Sequence, residues 1–520
     1  MPSFTPILVG LVGFFSLAVS APHKRSALAR YAVSGQSVAL THYNNGVRPM
    51  APSKGTLRAR SGTSASATNG SVSLIDLDNS YAASVTIGTQ SYNLVIDTGS
   101  SDTWIADSFY NCLGSSRSVF SGALNQDHCG LTPTYVRSNC DPYVSFLDDQ
   151  HFHVTYGDGS SASGPLADAT ITIADGMSFI STLGIASNVA WYGLNDNTSG
   201  LLGLGYSALT SSFSGTDARQ DVFCPHNSST LGYDFYGDEA ECNEYHYTSL
   251  IESLNSAQTY ENGTYRPLLT KDEQFFSLAL SRDTTNTSAG GVLTFGGLGN
   301  MLSPGVNITA DPAIAVVPIE SLTNDDTGTL RFYTISVKGI VLPTFTNTSV
   351  PAYTTTTTSY SSVDTDAAMP DSTTGTSQFI VDSGTTLSYF PASISASFNS
   401  LFVPPAYQSY EAPYYSSSLW QLNCSLSYIP PLGIQIGDET FYHNPLDLVR
   451  RSTRRIYDDE TGTYAEQEYC YSAIQDVYEP EDGDGTTVGV LGQTFLKNVL
   501  AIFDVAQTLM AFVERPYYES

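Results

Sequence analysis

The sequence predicts an all-β protein built from two β lobes that are related by a pseudo-two-fold axis, with a cleft between them. Three observations support this prediction. Short segments that alternate or run apolar recur between Gly, Asn and Asp turns after residue 70. Few segments have the periodicity of a helix. One eight-residue motif occurs twice, and each copy is followed at a similar distance by a second matching motif, which indicates a duplicated structural unit.

Six segments have the pattern expected of strands. In single-letter code they are VSLIDLD (72–78), YAASVTIGT (81–89), YNLVIDTG (92–99), DATITIAD (168–175), GVLTFGG (291–297) and YTISVKGI (333–340). Residues 246–255 and 393–402 are the two candidate helices. Residues 344–377 hold 18 Ser or Thr in 34 positions, a composition that predicts an O-glycosylated loop insertion rather than part of a core.

The charge of the chain excludes some classes of partner. The 520 residues include 50 Asp and Glu against 21 Lys and Arg, which gives a formal net charge of −29. Such a surface repels phosphate backbones and anionic membranes, so no nucleic-acid partner is expected. Residues 1–60 contain no Asp or Glu and hold seven of the bases. A basic leader therefore precedes a strongly acidic body whose surface tolerates low pH.

The N-terminal segment predicts secretion. Residues 6–19 form an apolar run followed by small residues, as in a secretory signal peptide that covers residues 1–20. A signal anchor is the alternative, because no Lys or Arg precedes the run. The C-terminus lacks the apolar tail of a lipid-anchor signal, so no stable membrane anchor is expected. The predicted location is extracellular, with the vacuole as the alternative.

Eight Asn-x-Ser/Thr sequons accompany the signal peptide and favour a secreted glycoprotein. They begin at Asn69, Asn197, Asn227, Asn262, Asn286, Asn307, Asn347 and Asn423. Seven cysteines, none of them in C-x-x-C spacing, favour disulfides over a metal site. They are Cys112, Cys129, Cys140, Cys224, Cys242, Cys424 and Cys470. The fourth and fifth can close one loop and the last two another, while the first three leave one thiol over.

The repeated motif contains the two candidate catalytic residues. Residues 94–101 (LVIDTGSS) are echoed by residues 379–386 (FIVDSGTT), and an aromatic residue, Trp104 or Tyr389, stands seven positions after each Asp. Two apolar residues and a Gly follow in both halves, at 201–203 (LLG) and 490–492 (VLG). Each D-[ST]-G motif alone is ordinary turn chemistry. Two copies in one register predict that Asp97 and Asp382 meet across the pseudo-two-fold axis.

Two carboxylates at such a meeting point cannot both ionise readily, so they share one proton. One then acts as a base and the other as an acid, which activates a water molecule without a metal or other cofactor. Gly permits the sharp turn that exposes each carboxylate, and neighbouring hydroxyls can orient its oxygens. These flanking residues are Thr98, Gly99 and Ser100 in the first copy and Ser383, Gly384 and Thr385 in the second.

With these motifs the chain resembles the pepsin-like aspartic endopeptidases, in particular the secreted fungal members, over roughly residues 75–515. The resemblance implies a bilobal fold in which Asp97 and Asp382 hold the catalytic water. It also implies that Thr98 and Ser383 brace the two loops, that Ser100 and Thr385 hydrogen-bond the dyad, and that Gly99 and Gly384 keep the approach open. Cys424 and Cys470 bracket the segment where the family has its second-lobe disulfide.

Residues 154–160 (VTYGDGS) look like the flap hairpin of that family. The resemblance implies that Tyr156, followed by Gly157, folds over the substrate with its hydroxyl near the indole N–H of Trp104. Asp158 and Ser160 match positions where fungal members accept Lys before the scissile bond. For Asp158, plain turn chemistry is the alternative.

The resemblance also organises the chain. It implies an N-terminal lobe at 61–316, with insertions at about 108–150 and 217–247, and a C-terminal lobe at 317–520 that contains the insertion 344–377. Residues 21–60 are interpreted as a basic propeptide that inhibits the enzyme near neutral pH, with a passive linker as the alternative. The expected partners are protein or peptide substrates and the propeptide itself, and the expected state is a monomer.

Two rival functions and one rival site stay open at this level. A protein of this fold that only binds peptides would be a pseudo-protease, and a glycosidase would also use two carboxylates. His151 and His153 lie on one face of a strand, but no third metal ligand is evident, so we expect them on the surface beside the flap rather than in a metal site.

Overall fold

The computed structural model describes the chain from residue 36 to residue 515 with gaps. The described residues are 36–43, 80–113, 123–137, 142–173, 176–191, 198–224, 242–261, 263–281, 290–298, 312–323, 325, 327–343, 360–362, 377–409, 419–458, 463–477 and 488–515. The predicted signal peptide, the predicted strand at 72–78, Cys140 and most of the Ser/Thr-rich insertion lie outside them.

The described residues form twenty-nine strands, three α-helices and five short 3₁₀ helices. The strands of its first half are β1 (Gln36–Tyr43), β2 (Ser80–Ile87), β3 (Gln90–Asp97), β4 (Trp104–Leu113), β5 (Ala123–Leu124), β6 (Val144–Thr155), β7 (Ser161–Ile173), β8 (Met177–Ala190), β9 (Gly200–Gly203), β10 (Ser212–Ser214), β11 (Gln258–Glu261), β12 (Thr264–Pro267), β13 (Phe275–Leu280), β14 (Gly291–Phe295) and β15 (Ile314–Pro318). Those of the second half are β16 (Thr334–Pro343), β17 (Tyr360–Ser362), β18 (Ser377–Val381), β19 (Ser388–Phe390), β20 (Tyr407–Ser409), β21 (Leu419–Leu422), β22 (Gly433–Ile436), β23 (Glu439–Tyr442), β24 (Val449–Asp458), β25 (Thr463–Ser472), β26 (Ile474–Asp476), β27 (Gly489–Leu491), β28 (Val499–Asp504) and β29 (Leu509–Glu514). The helices are α1 (Leu250–Ser256), α2 (Ala392–Asn399) and α3 (Gln493–Leu496).

The all-β prediction is confirmed. The largest sheet has the strand order β10-β6-β7-β8-β4-β9-β3-β2-β1-β14-β13-β28-β29-β15, with β5 beside β4. A second sheet has the order β23-β22-β16-β18-β27-β19-β26, with β17 beside β16, and β20-β21-β25-β24 and β11-β12 form two smaller sheets. The last two strands of the chain join the large sheet, so that the two halves are connected through it.

Both candidate helices are present in shortened form. The segment predicted at 246–255 becomes α1, which begins at Leu250, and the segment predicted at 393–402 becomes α2, which ends at Asn399. Five of the six predicted strands overlap observed strands, and the sixth, at 72–78, lies outside the described residues.

The duplicated motif forms the same substructure twice. In the first copy β3 runs parallel to β9, and Ile96 and Asp97 lie opposite Leu202 and Gly203. In the second, β18 runs parallel to β27, and Val381 lies opposite Leu491. The glycine that ends each downstream motif lies against the loop that follows the repeated Asp. A Cβ on Gly203 would overlap the backbone of Ser101, and a Cβ on Gly492 would overlap the carbonyl oxygen of Leu387. This close approach explains why a glycine recurs there.

The apolar residues before each Asp anchor the two strands in the core. Leu94 and Ile96 on β3 and Phe379 and Val381 on β18 are fully buried in one hydrophobic cluster. The Asp at the end of each of these apolar runs is therefore held by a rigid, buried strand.

Three disulfides are present among the described residues. They join Cys112 to Cys129, Cys224 to Cys242 and Cys424 to Cys470. The sequence did not decide which two of Cys112, Cys129 and Cys140 form a disulfide. No helix among the described residues is long and apolar enough to cross a membrane.

Part of the basic leader belongs to the large sheet. Strand β1, within residues 21–60, pairs antiparallel with β2 on one side and with β14 on the other. Its backbone therefore contributes to the sheet on both edges, which connects the leader to the body of the molecule.

Candidate active site

The two Asp side chains meet where β3 and β18 end. In each copy the backbone N–H two residues on donates to the Asp: Gly99 N lies 2.8 Å from Oδ1 of Asp97, and Gly384 N lies 2.7 Å from Oδ1 of Asp382. The hydroxyl three residues on donates to the other oxygen, Ser100 to Asp97 and Thr385 to Asp382. Both carboxyl groups thus have the same orienting set, as the repeat requires.

The pair is coupled electrostatically. Burial is the largest cause that raises the pKa of Asp97 well above its ordinary value of 3.8, and the charge of Asp382 raises it further. A hydrogen bond between the two side chains adds to the same effect, whereas the bonds from Ser100 and Gly99 lower the pKa. The net direction favours the protonated form of Asp97.

Two glycines leave room for this contact. A Cβ on Gly99 would lie 2.5 Å from Cγ of Asp382, and a Cβ on Gly384 would lie 2.6 Å from Cγ of Asp97. Any side chain at either position would push the opposite carboxyl group away. The spacing of the dyad therefore depends on glycine at both turns.

Four hydrogen bonds across the pseudo-two-fold axis fix the two loops. The Thr98 backbone N–H donates to Oγ of Ser383 over 3.1 Å, and the Ser383 N–H donates to Oγ1 of Thr98 over 2.9 Å. The two hydroxyls in turn donate to the carbonyls of Val381, at 2.9 Å, and Ile96, at 3.1 Å. Both side chains are completely buried. Because water does not compete there, these bonds hold the loops in one relative position.

The hairpin of β6 and β7 contains the residues that were predicted to form a flap. Its turn occupies residues 156–160, closed by a 2.7 Å bond from Tyr156 N to the carbonyl of Ser160, and Gly159 has a φ of 85°. The indole N–H of the fully buried Trp104 donates to the Tyr156 hydroxyl over 2.7 Å. Burial, followed by the charge of Asp102, raises the pKa of Tyr156 well above 10.0, so that the phenol is neutral.

Asp158 and Ser160 contact each other in the turn. Oδ1 of Asp158 accepts the Ser160 backbone N–H at 2.8 Å, and Oδ2 accepts the Ser160 hydroxyl at 2.9 Å. Gly157 between Tyr156 and Asp158 is exposed. This arrangement is an Asx turn that also presents a carboxylate at the flap tip, so both interpretations of Asp158 fit the geometry.

Two residues near the hairpin, Trp191 and Asp102, were not predicted from the sequence to belong to the site. The Trp191 ring packs edge-on against Trp104, with centroids 5.2 Å apart, and against Tyr156, at 5.8 Å. Asp102 is completely buried, and Oδ1 accepts the Tyr247 hydroxyl at 2.7 Å and the Ser211 N–H at 3.2 Å. Burial raises the pKa of Asp102 to about 7. Asp102 lies five residues after Asp97, where the second copy has Leu387, and this asymmetry was the available signal.

Tyr389, the aromatic residue of the second copy, is influenced by the charges of Asp158 and of Asp382. Burial is the main cause that raises its pKa to about 12, and the charges of Asp158 and Asp382 contribute. The aromatic residue of the first copy, Trp104, thus contacts the hairpin through Tyr156, and that of the second copy, Tyr389, is within electrostatic reach of Asp158 and Asp382.

The expectation that His151 and His153 lie on the surface is wrong. Both side chains are buried, because the segment after β10 covers β6 and places the Asp221 carboxylate against the two rings. Among the described residues, only Cys424, Glu468 and Cys470 bring three candidate ligand atoms within 4.8 Å of one another. Both of those sulfurs belong to a disulfide, so this group offers no metal site.

Replacing Tyr156 with Phe is expected to lower kcat/KM for peptide hydrolysis by about fivefold to tenfold. The change removes one hydrogen bond with Trp104, which is worth roughly 1–1.5 kcal/mol when it positions a group in the transition state. Trp104→Phe should cause a similar loss, and the double variant should lose no more than either single variant. Additive losses in this cycle would contradict a shared role.

Comparisons with known proteins agree with this geometry. Residues 80–223 and 248–514 match the model of the family described as eukaryotic aspartyl protease. The chain is 29% identical over 465 residues to the probable aspartic-type endopeptidase of Aspergillus fumigatus, covering 88% of this chain and 84% of that protein. It is 33% identical over 145 residues to rhizopuspepsin of Rhizopus chinensis, covering 27% of this chain and 33% of that protein.

A solved structure has the same fold. The crystal structure of an aspartic proteinase from Irpex lacteus superposes with a TM-score of 0.51 at 18% sequence identity. The match covers 84% of this chain and 95% of that one. At 18% identity the superposition shows the bilobal fold alone. The match to the family model shows that the chain is related to the aspartyl proteases.

Proposed function

The chain belongs to the eukaryotic aspartyl protease family and is an aspartic-type endopeptidase, and from this premise we propose that it cleaves peptide bonds at acidic pH through a water molecule activated by Asp97 and Asp382. The observation that carries the proposal is the contact between these two carboxyl groups, each oriented by a backbone N–H and a hydroxyl. No cofactor is needed, because one proton shared by two carboxyl groups supplies both an acid and a base.

The proposed reaction follows from that proton. The ionised carboxylate removes a proton from the water while the water oxygen bonds to the scissile carbonyl carbon, and the protonated carboxyl donates to the carbonyl oxygen. The tetrahedral intermediate then breaks its C–N bond. The leaving nitrogen receives the proton that one dyad carboxyl took from the water. The other carboxylate takes a hydroxyl proton back from the intermediate as the carbonyl re-forms, so that the dyad returns to its starting state with one proton. Aspartic proteases are a well-known instance of such proton sharing.

We assign a closing role to the flap. Trp104 fixes the Tyr156 phenol at 2.7 Å, and the packing of Trp191 against both rings gives this side of the hairpin a rigid base. A substrate that lies across the dyad would be covered by the hairpin. Exclusion of water by the flap would strengthen the electrostatic effects at the reacting carbonyl.

The flap tip supports a tolerance for basic residues before the scissile bond. Asp158 presents a carboxylate that is held by the backbone N–H and the hydroxyl of Ser160. Asp158→Asn is expected to lower kcat/KM for substrates with Lys at that position by about tenfold, the value of a charge-assisted hydrogen bond, and to leave Leu substrates nearly unchanged. Equal losses for both substrates would favour the turn-only interpretation.

Secretion is a proposal that the apolar run at 6–19 and the sequons support, and inhibition by the leader is a proposal that the charge distribution supports. Residues 1–60 contain no acidic residue, whereas the body is strongly acidic, so a leader at 21–60 is attracted to the body near neutral pH. Strand β1 ties part of this leader into the large sheet. Incubation of the full chain at neutral and at acidic pH, followed by N-terminal sequencing, tests the idea. A form that is fully active at neutral pH with residues 21–60 intact would contradict it.

A casein assay at acidic pH, with and without pepstatin, tests the proposed function against its rivals. We expect hydrolysis that pepstatin abolishes. The absence of turnover by folded protein would favour a peptide-binding pseudo-protease, and activity on a panel of glycosides instead of casein would favour a glycosidase.

A further inference from the structure

The outer face of the flap hairpin carries a buried cluster of titratable side chains. His151 and His153 alternate along β6, so both rings lie on one face of the strand. They are 3% and 6% exposed. The Asp221 carboxylate lies against both: its Oδ2 is 2.8 Å from Nδ1 of His153, and both of its oxygens are 3.0 Å from Nε2 of His151.

The contacts of the cluster fix how many protons it holds. Nδ1 of His151 lies 2.8 Å from the carbonyl oxygen of Gly215, which can only accept, so this nitrogen carries a hydrogen. Nε2 of the same ring and Nδ1 of His153 both face the carboxylate. All these contacts are hydrogen bonds at once only when the cluster holds three protons, which is one more than two neutral imidazoles and a carboxylate carry. Without the extra proton, the lone pair of Nε2 would face carboxylate oxygens at 3.0 Å.

Apolar side chains surround the contact between His151 and Asp221, so the loss of a hydrogen bond there is costly. The rings of Phe213 and Phe223 pack against the cluster, with centroids 5.0 Å apart for His153 and Phe223 and 5.1 Å apart for the two Phe rings. In such an apolar environment an unsatisfied polar group is costly and a satisfied one is strongly held. The cluster therefore responds sharply to the loss of its proton.

The cluster joins two elements that border the site. Asp221 lies after β10, whose residues Ser212–Ser214 pair with residues 150–152 of β6. His153 is three residues before Tyr156, so the bonded strand leads directly into the flap turn. A change in the cluster therefore acts on the base of the flap hairpin without contact with the dyad.

Other charged groups near the cluster have their own partners. Asp217, which favours the charged form of His151, pairs with Arg219 at 2.7 Å. Further titratable groups along this rim include Asp149 of β6, whose carbonyl accepts the Gly215 N–H and whose charge acts on Tyr245. The others are Glu244, bonded by Ser211 and Cys224; Asp102, bonded by Tyr247 and Ser211; Tyr245, bonded to Gln150; and His246, against the carbonyl of Thr210. Asp221 is thus the carboxylate in contact with the two rings among the described residues. The cluster also differs from a metal site, because its three ligand atoms do not all lie within 4.8 Å of one another.

We propose that His151, Asp221 and His153 form a proton-dependent brace, which holds the flap strand against the segment after β10 while it carries the extra proton and loosens when that proton is lost. They are positioning residues, since none of them is part of the dyad. The inference goes beyond the proposed function, because the brace would operate in a chain that hydrolyses nothing.

The direction of the pH response follows from the two partners. Burial lowers the pKa of His151, but the bonds to Asp221 and Gly215 outweigh it and leave the pKa above 6.5. Burial raises the pKa of Asp221, and the bonds from both His rings outweigh it and leave the pKa below 3.8. The His151 contribution is complete below 6.5 and is lost as the pH rises through its raised pKa. The Asp221 contribution is complete above 3.8 and is lost as the pH falls through its lowered pKa.

The variant Asp221→Asn tests the brace, because an amide accepts a bond from His153 and donates one to neutral His151 without the extra proton. In the full chain, NMR titration should give His151 a pKa above 6.5 in the wild type and a lower one in the variant. Hydrogen exchange of backbone amides at 150–160, corrected for intrinsic rates, should rise between pH 6 and pH 8.5 in the wild type and change little in the variant. The control Asp217→Asn removes a smaller charge effect on His151 and no contact with the rings, so it should lower the pKa of His151 less than Asp221→Asn does and should keep the rise in exchange.

Three results would overturn the proposal. They are a wild-type His151 pKa at or below 6.5, the same rise in exchange in Asp221→Asn as in the wild type, and a shift of the His151 and His153 signals when zinc is added to EDTA-treated protein, which would make the cluster a cation site. If Asp221→Asn does not fold, His151→Gln takes its place. Its amide still donates to Asp221 but does not titrate, so exchange at 150–160 should again be insensitive to pH.

Discussion

Asp97→Asn is expected to lower kcat/KM for peptide hydrolysis by roughly 10²–10⁴-fold, the contribution of general acid–base catalysis. An amide cannot share a proton with Asp382 or exchange it with water during the reaction. Its single oxygen can still accept the Gly99 N–H, and its NH2 group can donate to the oxygen of the Ser100 hydroxyl, so the fold should survive. Asp382→Asn should have the same effect, because the two loops are equivalent in geometry.

A matched carboxylate outside the site separates the role of the dyad from a general loss of charge. Asp168 on β7 accepts the Thr182 hydroxyl at 2.7 Å and does not take part in the site. Asp168→Asn should keep kcat/KM within about twofold of the wild type. A loss in Asp168→Asn as large as that in Asp97→Asn would show that the assay reports stability and not catalysis.

Gly99→Ala is expected to lower kcat by about 10²-fold while the protein stays folded. The new methyl carbon would lie 2.5 Å from Cγ of Asp382, so that the carboxyl group must move by about an ångström, a displacement that costs about this much in a positioned site. The backbone at Gly99 has an ordinary φ, and the substitution therefore adds little strain of its own.

Gly263→Ala is the control for that prediction. Gly263 has a φ of 83° and no heavy atom within 4 Å of its built Cβ, so Ala there strains a surface turn by about 1 kcal/mol without touching the dyad. We expect a lower melting temperature with unchanged kcat for Gly263→Ala, and the reverse for Gly99→Ala. Full activity in Gly99→Ala would show that the close contact between the two carboxyl groups is not required.

The sequence was most informative where the chain repeats itself. The apolar run before each Asp fixes a buried strand, and the matched glycines Gly203 and Gly492 follow from the parallel pairing of β3 with β9 and of β18 with β27. Together these features predicted both the bilobal fold and the meeting of Asp97 with Asp382. Two copies of a local pattern predict that two residues far apart in the chain lie close together, whereas one copy does not.

Contacts made by a single partner far along the chain could not be predicted in this way. Asp221 is 68 residues from His153, and without it the alternating histidines have the pattern of an exposed strand face. Tyr247 is 145 residues from Asp102, and Trp191 reaches the flap only because β8 ends beside it. None of these three contacts leaves periodicity or a motif. The difference between Asp102 and Leu387 in the two copies marks Asp102, but nothing in the sequence indicates the partner in any of the three contacts.

The pH dependence of kcat/KM for a peptide substrate tests the central claim, that one proton shared by Asp97 and Asp382 activates the water. The pKa of Asp97 is raised well above 3.8, chiefly by burial and then by the charge of Asp382. The pair therefore keeps its proton at acidic pH and loses it as the pH rises through that raised value. We predict hydrolysis at acidic pH that declines toward neutral pH in the wild type and is lost at every pH in Asp97→Asn. A profile that is flat or rising from pH 3 to pH 8, or a wild-type profile retained by Asp97→Asn, would contradict the account.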